Sequence, residues 1–303
     1  MVRLASALVA AALLVGTGSA LAQQQPPDYS KVEIKTTDLG HNTYMLEGLG
    51  GNITVIVGGD GVLMVDSEFA PLHDKIKAAI EKITNQPIRY VVDTHFHGDH
   101  TGGNAGFAKD GATIVAQINV KRRLAEGSIN GLNGAKTPPV SGDALPSKTY
   151  ETALTLKLKG RTVHLHHIAN AHTDGDTYVL IPDANVIATG DTVVIGRYPN
   201  IDFANGGNIR GMIGATGIYL HIANDKTKIV PGHGPLTDKA GVASYRAMLI
   251  AARDRMAKLI KAGKTEADVV AAKPFADFDK KFNATDQQAT NFIRVVYHSL
   301  KPS

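Results

Sequence analysis

The spacing of apolar and polar residues predicts a chain of two similar halves, each with strands followed by a helix. In the first half, β-rich runs at 53–57 and 62–65 flank Gly58-Gly59-Asp60-Gly61, a pattern typical of a β-hairpin. Apolar residues at helical spacing then predict a helix over 71–84. A β-rich run at 88–94 predicts a buried strand that ends in a histidine-rich segment.

The second half repeats this order and ends in helices. Apolar periodicity predicts a buried helix over 212–222 and amphipathic helices over 242–261 and 285–300, the last with Thr285 or Asp286 as its N-cap. Strands are predicted at 155–158, 162–168, 178–181, 186–189 and 229–230. Two such halves predict an α/β (α+β) fold, a four-layer αββα sandwich with two packed sheets and helices outside.

Two segments lack clear periodicity. Residues 127–146 are rich in Gly, Pro and Ser and predict a long loop. Long loops inside compact domains are often functional, so we expect this one to border the active site. Residues 273–283 contain Pro274 and three phenylalanines, and we expect them to pack as an irregular segment.

The first 22 residues have the features of a secretory signal peptide. Arg3 supplies a positive charge, residues 4–15 are apolar, and Ala20-Leu21-Ala22 has the small-x-small form of a cleavage site. The apolar run is too short to cross a bilayer core of about 30 Å. We expect cleavage after Ala22, a single mature domain over 23–303 without a membrane anchor, and a periplasmic or secreted protein. A retained amphipathic anchor is the alternative.

Composition narrows the chemistry of the mature chain. The 303 residues include no cysteine, so any metal site must use nitrogen and oxygen ligands. The net charge is +4, or +3 once the single charge of Arg3 is removed, and no cluster of Lys and Arg indicates a nucleic-acid partner. The chain is long enough to bury a core of its own, and its sequence leaves the oligomeric state open.

The segment His95-Phe96-His97-Gly98-Asp99-His100 is the most informative part of the sequence. It places three imidazoles and a carboxylate within six residues, directly after a predicted strand. Residues two apart point away from each other on a helix, so these side chains are expected to converge on a loop. Gly98, which has no Cβ, is expected to let the chain turn there.

Four further segments place ligands or supporting carboxylates at the ends of predicted strands. They are Val65-Asp66-Ser67, Ala171-His172-Thr173-Asp174-Gly175-Asp176, Thr189-Gly190-Asp191 and Pro231-Gly232-His233-Gly234. Together with the H-x-H-x-D-H segment, and in this order, they resemble the metallo-β-lactamase superfamily over roughly residues 32–235. The resemblance implies the αββα sandwich of that superfamily.

The resemblance also implies a site for two Zn²⁺ ions. The first ion takes His95, His97 and His172. The second takes Asp99, His100 and His233, and Asp191 bridges both. Nitrogen and oxygen ligands of this kind would also accept iron or manganese.

The implied reaction is hydrolysis of a small-molecule carbonyl substrate by a metal-bridging hydroxide that Asp99 orients. Asp66 is expected to fix a histidine tautomer, and the sequence leaves the substrate-contacting residues open. Asp191 stands in Thr-Gly-Asp, as in glyoxalase-II-like and lactonase-like members, where cysteine-containing β-lactamases have a thiolate. We therefore expect an exported binuclear zinc hydrolase that opens an amide or ester ring, β-lactam-like or lactone.

Other functions stay open on the same residues. Some members of the superfamily hold iron and act as oxidoreductases, and others hydrolyse thioesters as glyoxalase II does. A non-catalytic metal-binding protein is a further alternative, disfavoured because all seven ligand positions are intact.

Several other residues could suggest a second site. His164, His166 and His167 share one predicted strand, but alternation sends His167 to the opposite face, so the three cannot meet. Asp174 and Asp176 are expected to bond turn backbone. Arg122, Arg123 and Arg210 could bind a substrate carboxylate, although a solvated surface role is the expectation for each.

Overall fold

The computed structural model describes residues 27–301, and the expected signal peptide lies outside them. The described residues fall into two units, 27–31 and 32–301. In the first unit, the described residues include one turn of 3₁₀ helix at Tyr29–Lys31. The second unit contains all the sheets and the long helices described below.

The first sheet has seven strands and carries the first set of candidate ligands. Its order is β1-β2-β3-β4-β5-β6-β9, antiparallel from β1 to β4 and parallel from β4 to β9. The strands are β1 Lys35–Gly40, β2 Thr43–Glu47, β3 Ile53–Gly58, β4 Gly61–Val65, β5 Ile88–Asp93, β6 Thr113–Gln117 and β9 Lys148–Tyr150. Two further strands, β7 Ser128–Ile129 and β8 Lys136–Thr137, form a separate short hairpin.

The second sheet has five strands in the order β10-β11-β12-β13-β14. The strands are β10 Ala153–Leu158, β11 Arg161–Ile168, β12 Asp176–Ile181, β13 Val186–Ala188 and β14 Lys228–Val230. Strands β10 to β13 are antiparallel, and β14 is parallel to β13.

Helices cover the outer faces of the two sheets. They are α1 His73–Glu81, α2 Gly98–Thr101, α3 Asn104–Lys109, α4 Ile118–Glu126, α5 Ile209–Ile222, α6 Lys239–Lys261, α7 Glu266–Ala272, α8 Ala276–Phe282 and α9 Asp286–Leu300. Among residues 27–301, none of the helices is long and apolar enough to cross a membrane.

Two apolar cores define the layers. Between the sheets, Val65, Val92 and Val115 of the first sheet pack with Leu165 and Val179 of the second. Outside the second sheet, a larger core joins side chains from that sheet to α5, α6 and α9, including Tyr178, Ile187, Met212, Met248 and Val296. Helix α3 lies against β5 and β6 on the outer face of the first sheet. The architecture is therefore the expected αββα sandwich.

Most predicted elements are present, and two predictions are wrong. Residues 273–283 are not irregular, because α8 begins at Ala276, directly after Pro274 and Phe275. Pro274 precedes this helix, where the lack of a proline N–H is tolerated. The loop predicted over 127–146 contains the β7–β8 hairpin and one turn of 3₁₀ helix.

Candidate metal centre

Strand topology brings the candidate ligands to one edge of the sandwich. Parallel β4 and β5 end at that edge, where Asp66 and His95 follow them. In the second sheet, parallel β13 and β14 end before Asp191 and His233. Because β12 is antiparallel to β13, the segment with His172 enters β12 from the same edge.

The histidine-rich segment is a loop followed by one helical turn. His95 and His97 lie on the loop, whereas Asp99 and His100 lie on α2. The expected role of Gly98 is wrong, because its φ is not positive and a Cβ there would meet no heavy atom within 4 Å. The turn comes from the extended backbone of His97, φ −67° and ψ 147°, directly before α2.

All seven predicted ligands converge in three overlapping groups of three residues. Within each group, the donor atoms lie within 4.8 Å of one another. The groups are His95, His97 and His172; His95, His100 and Asp191; and Asp99, His100 and His233. The first and third groups coincide with the two ligand sets that the family resemblance implies. The carboxylate of Asp191 spans the two, since its Oδ2 is 3.7 Å from His172 Nε2 and its Oδ1 is 3.3 Å from His100 Nε2.

Four histidines are held by the ring nitrogen that faces away from the cluster. His172 Nδ1 lies 2.8 Å from the carbonyl oxygen of Asn200, and His100 Nδ1 lies 2.8 Å from Asp66 Oδ2. His95 Nδ1 lies 3.1 Å from the hydroxyl of Thr94, which donates to Asp66 Oδ2. His97 Nε2 lies 3.0 Å from Asp202 Oδ2. These contacts leave the other nitrogen of each ring free to bind a metal ion.

The inward-facing atoms fit a divalent cation. His95 Nε2 is buried and has no hydrogen-bond partner among the described residues. His97 Nδ1 and His172 Nε2 are 3.0 Å apart, and His100 Nε2 and His233 Nε2 are 3.3 Å apart. Two nitrogens that bind one tetrahedral Zn²⁺ at 2.0–2.1 Å are separated by about 3.3 Å, so both spacings suit shared coordination.

The electrostatics of the cluster favour added positive charge. Burial opposes the protonation of His100, but the carboxylates of Asp66, Asp99 and Asp191 outweigh it and raise its pKa. Burial also opposes the protonation of His233, but the carboxylates, Asp191 above all, outweigh it and raise the pKa of His233 to about 9. Burial, together with the charges of the neighbouring histidines, lowers the pKa of His95. Burial also takes the pKa of His172 to about 4, although the charge of Asp191 opposes the shift. A buried group of carboxylates that attracts protons in this way would also attract a metal cation.

Two supporting residues next to the ligands have unusual backbone conformations. Asp66 and Glu68 have positive φ angles of 68° and 54°, a costly region for residues with a Cβ. Asp66 Oδ1 accepts a hydrogen bond from the backbone N–H of Thr94, and Glu68 Oε2 accepts one from Gly50 N–H at 2.8 Å. The strain is therefore offset by contacts that fix the segment before His95, in the case of Asp66, and the loop at Gly50, in the case of Glu68.

The sequence did not reveal three residues that border the site: Asn200, Asp202 and Arg197. No periodicity or motif marks these three residues. Asn200 contacts His172 through its backbone carbonyl, which any residue could supply, and Asp202 lies 105 positions from its partner His97. Asp176, expected to bond turn backbone, accepts hydrogen bonds from the N–H groups of His172 and Thr173.

The other candidates lie away from the site chemistry. Asp174 binds the side chains of Arg122 and Arg123 at 2.8 Å, so these two guanidinium groups are engaged. His164 contacts Thr155, and His166 stacks on Tyr178 with ring centroids 5.0 Å apart. Within residues 27–301, these histidines belong to no cluster of three or more potential metal ligands, as strand alternation predicted.

Two cavities flank the metal centre and share Asn200. The larger, about 510 Å³, is lined by Asp191, Arg197, Tyr198 and Gln288 among others. The smaller, about 140 Å³, is lined by His97, Asp202 and the hairpin residues 128–132. The segment predicted as a long loop therefore does border the candidate site.

Comparison with known proteins decides the family. The sequence profile of the metallo-beta-lactamase superfamily matches residues 46–259, more than half of the chain. The protein belongs to the metallo-β-lactamase superfamily. The expectation drawn from the five sequence segments is thereby confirmed.

Curated relatives of this superfamily member share limited identity with it. It is 28% identical over 151 residues to the 2,4-dinitroanisole O-demethylase subunit alpha of Nocardioides sp. (strain JS1661), covering 49% of this chain and 43% of that one. It is 30% identical over 165 residues to a hydroxyacylglutathione hydrolase of Polaromonas sp. (strain JS666 / ATCC BAA-500), covering 54% and 55%. The chain therefore spans about half the length of these relatives.

A solved structure shows the same fold. The metallo-beta-lactamase from Pontibacter korlensis aligns with a TM-score of 0.57 and 18% identity, covering 72% of this chain and 99% of that one. At this identity the likeness establishes the architecture and leaves the substrate open.

Proposed function

We propose that the protein is an exported, binuclear zinc hydrolase that opens an amide or ester ring, β-lactam-like or lactone, in a small anionic substrate. The convergence of five imidazoles and two carboxylates in two sets, with Asp191 between them, carries this proposal. Superfamily membership supports metal-dependent hydrolysis in general.

Divalent ions held by these residues would supply Lewis acidity and lower the pKa of water from about 15.7 towards about 7. Asp99 is the more accessible of the two carboxylates, with 30% of its side chain exposed against 9% for Asp191. Its Oδ2 lies 3.2 Å from His233 Nε2. We assign Asp99 the orientation of the attacking water, in addition to its place among the metal ligands.

The larger cavity indicates where a substrate could bind. Its volume of about 510 Å³ lies within the range of about 300–1,000 Å³ typical of small-molecule sites. Arg197 is exposed on its wall, and among residues 27–301 its guanidinium forms no hydrogen bond or ion pair. A free guanidinium that lines the same cavity as the candidate ligand Asp191 suits a carboxylate, sulfate or other anionic group on the substrate.

Thioester hydrolysis is a second candidate. The similarity to a hydroxyacylglutathione hydrolase and the aspartate ligand Asp191 in place of a cysteine favour it. It differs from the leading proposal in the bond that is cleaved and uses the same metal ligands.

A substrate panel separates these functions. Purified protein loaded with Zn²⁺ would be assayed with nitrocefin, several lactones, a hydroxyacylglutathione thioester and a phosphodiester, each with and without chelator. Chelator-sensitive opening of a lactam or lactone supports the leading proposal, and cleavage of the thioester alone supports the second. Iron in the native protein together with no hydrolysis would favour an oxidoreductase and overturn both.

Export is tested on the native protein. We expect the mature chain to begin at Gln23 and to be recovered from the periplasm or the culture medium. Mass spectrometry of the intact protein would identify its first residue. A cytoplasmic chain that retains residues 1–22 would contradict this part of the proposal.

A further inference from the structure

We propose that Asp202 is a positioning residue, which holds the ring of His97 so that Nδ1 faces the metal. This inference rests on the metal site of the proposed function. His97 Nε2 lies 3.0 Å from Asp202 Oδ2, and on the opposite side of the ring Nδ1 lies 3.0 Å from His172 Nε2. An ionised carboxylate can only accept a hydrogen bond, so the proton of His97 resides on Nε2 and the lone pair of Nδ1 points into the site.

His97 is less restricted by packing than His100 and His172 are, so its orientation depends more on this hydrogen bond. The side chain of His97 is 21% exposed, whereas those of His100 and His172 are fully buried. Packing on all sides therefore restricts the rings of His100 and His172 in addition to their own hydrogen bonds. The ring of His97 borders the smaller cavity, where rotation about its side-chain bonds is less hindered.

The carboxylate of Asp202 is itself fixed. The side-chain amide of Asn205 lies 2.8 Å from both Asp202 oxygens and also donates to the carbonyl oxygen of Ile129 at 3.0 Å. The backbone N–H of Asp202 donates to the carbonyl oxygen of His172 at 2.9 Å. Asp202 therefore joins the loop of one metal ligand to the ring of another, and Asn205 ties both to the hairpin beside the cavity.

A carboxylate partner also makes an imidazole a better ligand. The negative charge of Asp202 stabilises the polarised Nε2–H group and increases the electron density at Nδ1. Loss of such an outer partner typically weakens metal binding by about 10–100-fold. Asp202 should therefore influence metal affinity without touching the ion.

The test measures metal binding directly. Asp202→Ala and Asp202→Asn would be compared with the parent by chelator competition for Zn²⁺ and by the visible spectrum of the Co²⁺-loaded protein. Asp202→Ala should weaken one of the two sites by about 10–100-fold and change the Co²⁺ bands. Asp202→Asn, which can still accept from Nε2 but lacks the charge, should fall between the parent and Asp202→Ala.

Asp110→Asn is the matched control. Asp110 also faces a histidine, with Oδ2 3.3 Å from His73 Nε2, but His73 lies outside the metal cluster. Asp110→Asn should leave both metal affinities and the Co²⁺ spectrum unchanged. Melting temperatures of the metal-free proteins would separate loss of metal affinity from loss of folding.

The outcomes distinguish this inference from the proposed function. Metal affinities within twofold of the parent for both Asp202 variants would overturn the inference and leave Asp202 a loop residue. Asp202-dependent metal binding without hydrolysis of any panel substrate would support the inference and contradict the hydrolase. A parent protein that binds no divalent metal would overturn both.

Discussion

Each buried histidine of the metal centre has one nitrogen bonded to the surrounding protein and the other directed inward. The partners differ: a hydroxyl for His95, a carboxylate for His100 and a backbone carbonyl for His172. Because a hydroxyl, a carboxylate or a backbone carbonyl can each fill this role, the partners share no sequence motif, whereas the ligands do. The functional consequences of single side chains can be tested one at a time.

Asp99 should be required for turnover even when the metals are present. In metal-replete Asp99→Ala, we expect kcat to fall by about 10²–10⁴-fold, since the carboxylate that orients the attacking water is gone. Kinetics with a panel substrate, alongside metal content per chain, would measure this. Asp225→Ala, a surface change, is the control. Rates near those of the parent in metal-replete Asp99→Ala would refute the assigned role.

Arg197 should affect substrate binding more than chemistry. A hydrogen bond to a charged group contributes about 1.5–3 kcal/mol, so Arg197→Ala should raise KM for an anionic substrate by about 10–100-fold with little change in kcat. Arg197→Lys should restore part of the binding, because the charge returns without the forked geometry. Arg210→Ala, at an exposed arginine on α5, is the comparison. Equal KM values in the parent and Arg197→Ala would exclude this contact.

Two glycines near the site should differ in how well they tolerate substitution by alanine. A Cβ on Gly98 meets no atom within 4 Å, so Gly98→Ala should change the free energy of unfolding by less than about 1 kcal/mol. A Cβ on Gly51 would overlap the ring of His100, so Gly51→Ala should cost about 1–3 kcal/mol and reduce metal content. Urea denaturation and metal analysis test both. A destabilised Gly98→Ala protein would mean that this turn does require glycine.

Helices α7 and α9 are joined by a small charged cluster at the periphery of the outer core. Both begin with a capping box, formed by Thr265 with Asp268 and by Thr285 with Gln288. The Thr285 cap confirms the helix start predicted from the sequence. Glu266, the first residue of α7, binds Arg294 and His298 of α9.

This cluster should make stability depend on pH. Burial raises the pKa of Glu266, but the hydrogen bonds from Arg294 and His298 outweigh it and lower the pKa below its ordinary value. Ionised Glu266 therefore stabilises the folded protein fully at pH values above its pKa in the unfolded chain, about 4.3. This stabilisation is lost as the pH falls through the lower pKa of Glu266 in the folded protein. Because the cluster is a third exposed, Glu266→Gln should cost at most about 1 kcal/mol at pH 7.

Urea denaturation of the parent and Glu266→Gln at several pH values is the measurement. The difference between them should shrink as the pH falls below about 4.3. Glu126→Gln, at an exposed position at the end of α4, should show little difference at any pH. A deficit for Glu266→Gln that is independent of pH would mean that packing, and not charge, is responsible.

The two halves of the sandwich are connected at the site. The backbone N–H of Asn52 donates to Gly232 O, and its side chain donates to Pro231 O and Gly234 O. Thr177 N–H donates to Thr94 O across the sheets. Metal ions bound by residues from both halves would therefore reinforce existing hydrogen bonds, which couples metal binding to the stability of the fold.

Removal of metal should lower the thermal stability of the protein. A ligand that binds only the folded state at 100 times its dissociation constant contributes about 2.7 kcal/mol. Melting temperatures with excess Zn²⁺ and with chelator would measure the effect, which should be reversed when Zn²⁺ is added back. Asp191→Asn, which weakens the bridge between the two sets, should show a smaller difference. Identical melting temperatures with and without metal would show that no ion binds the folded state tightly.

Periodicity was sufficient for much of the fold because it records which face of each element is buried. It located β3, β4, α5 and the start of α9, and it failed where the signal was short or mixed. Pro274 concealed α8, and the glycine-rich segment concealed the β7–β8 hairpin, which Asn205 holds through Ile129 O. Strands β1 and β2 contain polar residues without a clear alternation of apolar and polar positions, so periodicity does not mark them.

The amino-acid sequence already specified the kinds of ligand atoms, their positions after strands and, through the absence of cysteine, an all-nitrogen-and-oxygen site. These properties depend on residue type and local order along the chain. Folding determined which nitrogen of each ring faces inward and that Asp202 meets His97 and Arg197 borders the cavity. Such contacts join residues distant in sequence, and their geometry arises from the packing of two sheets, which leaves no short-range pattern to recognise.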